Sequence, residues 1–286
     1  MPLVTIVMRS KNDILYIART FEAISKQTFC DYEILNFDSG SDDGTWEIIQ
    51  ENNPGKAWRV KPEEYVPGKI LNKAINKAEG DIIVFNNSDC IPENEDWLEK
   101  LIKPLLSPDA DNISATFANQ LARPDAFILV KKDNERAFGD GSISAKWDHF
   151  FSLASSAASR QKLLDHPFRE DLQYSEDIDW AWRMKEFKFE VCYVADAKVE
   201  HSHNYSLREL KKRFYNEGIA EAQIYAEENS FWRGFVFPCL SECSRDIIYL
   251  LKFGKILALA HAVVYRITQR FFAWKGRHDY LLDKKA

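Results

Sequence analysis

The feature that most constrains this chain is an alternation of short apolar runs with amphipathic stretches between Leu3 and Phe117. Leu3–Met8, Tyr32–Phe37, Ile82–Phe85 and Ile113–Phe117 read as strands. Ile14–Lys26, a turn starting at Trp46, Ile70–Ala78 and Trp97–Leu106 read as helices, with apolar residues at helical spacing. Strands that alternate with helices form a mostly parallel sheet covered on both faces. The run Ile82–Phe85 is apolar at every position, as expected of a strand buried on both sides. The expected fold is therefore α/β, with a Rossmann-like central sheet flanked by helices.

Beyond Ala118 the pattern loosens. The segment FFSLASSAASRQKLL is expected to be helical, as are Glu176–Phe187 and the charged stretch Leu207–Glu228, with a strand at Phe189–Val194. From Ser230 onward, aromatic, aliphatic and basic residues mix, and no acid follows Asp246 before Lys275. These shifts divide the chain into a catalytic domain over 1–229, with halves 1–118 and 119–229, and a helical C-terminal extension over 230–286. Two readings of the extension stand: helices packed on the domain or in a homodimer, and in-plane contact with a membrane surface.

Charge and cysteines narrow the function. A net charge of −6 gives no electrostatic footprint for nucleic acid. Five cysteines without a C-x-x-C pair read as reduced thiols of a cytoplasmic protein. The start, MPLVTIVMRSKND, reads as a strand rather than a secretion signal, and no run of apolar residues is long enough to span a bilayer.

In a doubly wound sheet, ligands sit beyond the C-terminal ends of the strands. Three polar loops fall there: MRSKND after the first strand, DSGSDDGT after the second, and NNSDCIP after Ile82–Phe85. Each alone reads as a turn or a helix cap, with Asn12 or Asp13 as one such cap. Their convergence in order on one sheet edge points to a binding site.

Taken with FEAISKQTFCDYEILNFDSGSDDGTWEII, LNKAINKAEGDIIVFNNSDCIP and YSEDIDWAWRM, these loops resemble family 2 glycosyltransferases of the GT-A fold, from Val4 to about Gly218. The resemblance implies an inverting transferase. It moves a sugar from a UDP- or dTDP-linked donor to a glycan or lipid-linked acceptor hydroxyl at the inner face of the cell membrane. By that resemblance Asp38 meets the pyrimidine base, while Arg9, Asn12, Asn87 and Ser88 line the nucleotide sugar. Asp89 matches the second acid of a D-x-D motif that holds Mg²⁺ or Mn²⁺, and Asn87 stands in place of the first acid. His201 or His203 is a further metal ligand or a surface histidine.

By the same resemblance Asp177 is the base and Glu176 flanks the acceptor; the alternative is that both acids only favour the helix dipole. Trp180 is either a platform on the acceptor side or a core residue. Asp179 and Arg183 form a helix pair. The HSHNYSL stretch resembles polysaccharide and O-antigen rhamnosyltransferases, which favours a dTDP-rhamnose donor. The basic residues after it, Arg208 and Lys211 to Arg213, read as a solvated face or as phosphate contacts. Two rivals remain. A sugar nucleotidyltransferase would carry a glycine-rich first loop, which is missing here. A non-catalytic sugar-nucleotide-binding scaffold with a degenerate site is favoured only by Asn87.

Overall fold

The computed structural model describes residues 1–108, 110–147, 150–225 and 229–284. By their contacts these form two units. The first comprises Met1–Asp125, Asp133–Asp171 and Glu176–Ser202. Its centre is one sheet of eight strands in the order β3-β2-β1-β4-β7-β6-β8-β5. The strands are β1 Val4–Ser10, β2 Tyr32–Asp38, β3 Ala57–Arg59, β4 Ile82–Asn86, β5 Ile91–Pro92, β6 Ile113–Leu121, β7 Ser155–Ser159 and β8 Glu190–Glu200.

The half from β3 to β4 is parallel, as the alternation predicts. The sheet as a whole is mixed, which corrects the mostly parallel expectation. β7 runs antiparallel to both β4 and β6, and β5 runs antiparallel to β8. β7 lies inside the segment expected to be helical, of which only α6, Arg160–Asp165, forms a helix. SSAAS has neither β-branched residues nor alternation, so its sequence carries no strand signal. Its side chains are small enough to sit fully covered in the sheet centre, where Ser155, Ser156, Ala157 and Ala158 are all 0% exposed. Tertiary pairing overrides local propensity there.

The period-2 alternation of side chains puts a core on each face of the sheet. On β1, Val4, Ile6 and Met8 join one cluster with Val84, Trp97 and Leu101. Val7 joins the other, with Leu35, Phe37, Phe85 and Phe117. Helices α1 (Ile17–Ser25), α2 (Thr45–Asn52) and α4 (Trp97–Ile102) cover the first cluster through Ile17, Ile24, Ile49 and Trp97. Helices α3 (Pro67–Lys77) and α7 (Glu176–Glu186) cover the second through Leu71, Ile75 and Met184.

The second unit comprises Ala126–Lys132, Leu172–Ser175 and His203–Ala286. It contains α8 (Leu207–Tyr225), α9 (Phe237–Lys252) and α10 (Leu259–Asp283). The start of α5 (Ile128–Ala137) belongs to it as well. Thus α8 groups with the C-terminal helices in the second unit. The expected end of that helix at Glu228 lies outside the described residues. The reason for the grouping is close backbone packing. A Cβ on Gly218 would lie 2.0 Å from the Ala273 carbonyl, and one on Gly276 would lie 2.0 Å from that of Tyr215. Only glycine allows this approach of two helix backbones. Asp246 on α9 is 0% exposed and is matched by Lys132 and by Arg266, whose Nε donates at 2.6 Å. Among the described residues no helix is long and apolar enough to cross a membrane.

Candidate active site

Parallel pairing places the ends of β1, β2 and β4 at one edge, with Ser10 level with Asp38. Asp38 is 0% exposed. One of its oxygens accepts the Gly40 and Ser41 amides at 3.0 and 2.9 Å. The other accepts the Ser10 and Ser41 hydroxyls at 3.0 and 2.5 Å. All four of its lone-pair sites are thereby used within the protein, so the carboxylate shapes the loop that follows it. Asn12, at φ 56°, locks onto the same loop. Its side-chain oxygen accepts the Asp42 amide at 3.0 Å, and its own amide donates to Ser41 Oγ at 2.9 Å.

Arg9 connects the strand edge to the head of α7. Its Nε donates to Asn87 Oδ1 at 3.3 Å, and its Nη1 pairs with Glu176 at 2.8 Å. Next to Glu176, half-buried Asp177 accepts the Ile178 and Leu153 amides at 2.9 and 3.4 Å. Burial, reinforced by the charge of Glu176, pushes its carboxyl up to about 7. Such a carboxyl can take or give a proton near neutrality.

The third cluster surrounds Asp89. His201, the residue after β8, holds Nε2 3.5 Å from Asp89 Oδ2, while its Nδ1 lies 2.7 Å from Gln120 Oε1. The Gln120 amide donates to Ser152 at 2.8 Å, which leaves its oxygen to accept from His201 Nδ1–H. With Nδ1 donating, a neutral ring carries its lone pair on Nε2, the atom that faces Asp89. Ligand atoms of Asp89, Cys90 and His201 lie within 4.8 Å of one another. The Cys90 thiol is fully buried, and that burial raises its pKa well above the usual thiol value.

Arg123, only 4% exposed, donates to the Asp89 carbonyl at 2.5 Å and reaches Asp89 Oδ2 at 3.4 Å. Its guanidinium lies 3.7 Å over the Tyr16 ring. Ser88 is fully buried and donates to Asp13 at 2.5 Å. Burial, and secondarily the charge of Asp89, pushes the Asp13 carboxyl up to about 6.

Two expected residues fall outside these clusters. Trp180 is not an acceptor platform. It is 0% exposed, packs between Phe151 and Phe168 with ring centroids at 5.8 Å, and donates Nε1–H to the His166 carbonyl at 2.7 Å. The inward face of α7 carries it into the core. His203 belongs to the second unit, is exposed, and stacks on Tyr205 at 5.4 Å. The cation-ligand group contains His201 and not His203. Asp179 pairs with Arg183 at 2.9 Å as the helix spacing predicts, and also with Arg169 at 3.4 Å.

Sequence reasoning missed Gln120, Arg123 and the Ser88 contact of Asp13. Gln120 and Arg123 flank the end of β6, where the strand-end rule applies, but no local motif marks them. Asp13 lay in a flagged loop and read as a helix cap.

A sheet with polar loops gathered at its strand ends, beside a helix headed by two acids, is the framework of a glycosyltransferase. Residues 5–166, more than half of the chain, match the model for glycosyl transferase family 2. The chain belongs to that family. It is 30% identical to the O-antigen chain rhamnosyltransferase WbaN of Salmonella anatum, over 71% of this chain and just under two thirds, 66%, of the relative. It is 26% identical to the O-antigen chain rhamnosyltransferase RfbN of Salmonella typhimurium, over 77% of this chain and 72% of the relative. Its fold is shared with the mannosyltransferase PcManGT from Pyrobaculum calidifontis, solved with GDP-Man and Mn²⁺. That match has a TM-score of 0.66 at 19% identity, and covers 99% of this chain and 88% of that one.

Proposed function

We propose that this chain moves a sugar from a UDP- or dTDP-linked donor to a hydroxyl of a glycan or lipid-linked acceptor, inverting the configuration at the reacting carbon. The observation that carries this reading is Asp177. It is a carboxyl held near neutrality at the head of α7 and anchored by two backbone amides. Ionised, it takes the proton of the acceptor hydroxyl. The acceptor oxygen bonds to the anomeric carbon as the bond from that carbon to the diphosphate oxygen breaks, so one base on the opposite face suffices for inversion. Arg9 holds Glu176 beside this base and spans to Asn87, which ties the acceptor side to the donor side.

The donor set fits a hard divalent cation, Mg²⁺ or Mn²⁺. Asp89 supplies a carboxylate oxygen and His201 the Nε2 lone pair that Gln120 fixes. The protonated Cys90 thiol is a poor partner for such an ion. When bound, the cation would neutralise charge on the departing diphosphate. Asn87 brings no charge of its own, and Asp13, held through Ser88, adds an acid close to Asp89. Asp38 and Asn12 act by fixing the loop that would frame the nucleoside.

The names of the relatives support a rhamnosyl donor and a surface-polysaccharide acceptor. The solved complex supports a nucleotide sugar with a divalent cation. Incubation with UDP- and dTDP-linked sugars and Mn²⁺ is expected to release the nucleoside diphosphate and to give product of inverted anomeric configuration by NMR. Retained configuration would remove Asp177 from the role of sole base.

Gln120→Leu tests the cation site from one step away. It is expected to weaken Mn²⁺ binding about 10- to 100-fold, because the imidazole loses its fixed tautomer. Calorimetry of the metal alone reads this, and unchanged affinity would detach His201 from the site.

A further inference from the structure

The outward face of α9 has no role in the site described above. Phe237, Leu240, Ile247, Ile248 and Leu251 are all exposed, Ile248 by 68%. At about 100° per residue they fall on one arc roughly 100° wide. Cys239, Asp246 and Leu250 occupy the opposite, buried arc. The helix ends at Gly254, with φ 66° and the Lys255 amide bonded back to the Leu250 carbonyl at 2.8 Å. The turn that follows presents Phe253, Ile256 and Leu257, the last fully exposed.

Charge decides what this face can meet. Between Trp232 and Val264 the bases are Arg233, Arg245, Lys252 and Lys255, and the only acids are Glu242 and Asp246. Asp246 is buried against Lys132 and Arg266, and Glu242 is held by Arg270. Among the described residues neither Lys252 nor Lys255 has a carboxylate partner. An apolar stripe with lysines beside it at one end suits a surface that offers both hydrocarbon and negative charge. A second copy of the same face would bring apolar area but no acid for the lysines.

We propose that α9 and the turn after it lie in the plane of an anionic lipid bilayer. The apolar stripe sits at the acyl boundary, and Lys252 and Lys255 sit among lipid phosphates. No described helix is suited to crossing, so the contact is peripheral. Binding is read without sugar transfer and therefore stands apart from the transferase reading.

The test is co-sedimentation of the full chain with phosphatidylcholine vesicles, with and without phosphatidylglycerol. Binding is expected only with the anionic lipid and is expected to weaken with added salt. Lys252→Gln and Lys255→Gln should each lower the partition about fivefold. Ile248→Glu combined with Leu251→Glu should lower it more than about tenfold. All four positions are exposed, so the melting temperature should hold. Absence of binding, or equal and salt-insensitive binding to neutral vesicles, would overturn the proposal. Light scattering that shows a dimer, dispersed to monomer by Ile248→Glu, would assign the face to a second copy instead.

Discussion

Asp177→Asn is expected to lower kcat by about a hundred- to ten-thousand-fold, the usual contribution of a positioned base. Affinity for the nucleoside diphosphate should be nearly unchanged. The amide keeps the shape of the side chain, but its single oxygen can accept from only one of the Ile178 and Leu153 amides, which meet different oxygens of the carboxylate. It also loses the ability to take a proton. In the native chain the rate should fall as pH drops through about 7, because the base must be ionised and its carboxyl is raised to that value. In the variant this acid limb should vanish along with most of the rate.

Stability should move the other way. The folded-state pKa lies above the unfolded one, so ionising Asp177 costs the fold stability as pH rises from about 4 to about 7. Asn carries no such cost. The variant should therefore melt higher than the native chain at pH 8, with the advantage gone at pH 4. Lower activity with higher melting temperature is the signature of a carboxyl kept for chemistry. Full activity in the variant would end its candidacy as base.

The second large effect is expected at the cation ligands. With UDP or dTDP at about a hundredfold excess over Kd, the native fold gains about 2.7 kcal/mol by mass action. This should appear as a rise in Tm that requires Mn²⁺. His201→Ala and Asp89→Asn should each abolish the metal-dependent part of the rise. The two variants differ in what else they disturb. Asp89 also faces buried Arg123, so its loss leaves a guanidinium short of its counter-charge and lowers the starting Tm. Removal of His201 leaves Asp89 still facing Arg123, so the starting Tm should stay closer to native. A metal-dependent shift that survives in both variants would move the cation elsewhere. A shift that never needs metal would leave leaving-group stabilisation to cationic side chains.

Much of this site was legible along the chain, and for one reason. In parallel strands the C-terminal ends share an edge, so Arg9, Asn12, Asp38, Asn87 and Asp89 could be gathered from local pattern alone. The acid pair Glu176–Asp177 was legible as the head of a helix. Illegible were the partners that come from far along the chain. Gln120 aims His201, and Arg123 holds Asp89, yet neither carries a motif. Choosing between His201 and His203 needed coordinates, because residues two apart on extended chain share a direction, and only the contacts of His201 with Asp89 and Gln120 separate them. Asp38 shows a further limit, since sequence identified an acid at the strand end but not that its own loop consumes every lone pair.

The sequence alone therefore determined the α/β alternation, the edge where the polar loops meet and the acid-headed helix, because these follow from hydrophobic period and strand direction. Tertiary structure alone decided three other things. SSAAS became a central antiparallel strand, because only small side chains fit that interior. Trp180 became core, because the inward face of α7 is covered by Phe151 and Phe168. Asp177 acquired a raised pKa, because burial beside Glu176 disfavours its charge. Each of these depends on what surrounds a residue in space, which no local pattern encodes.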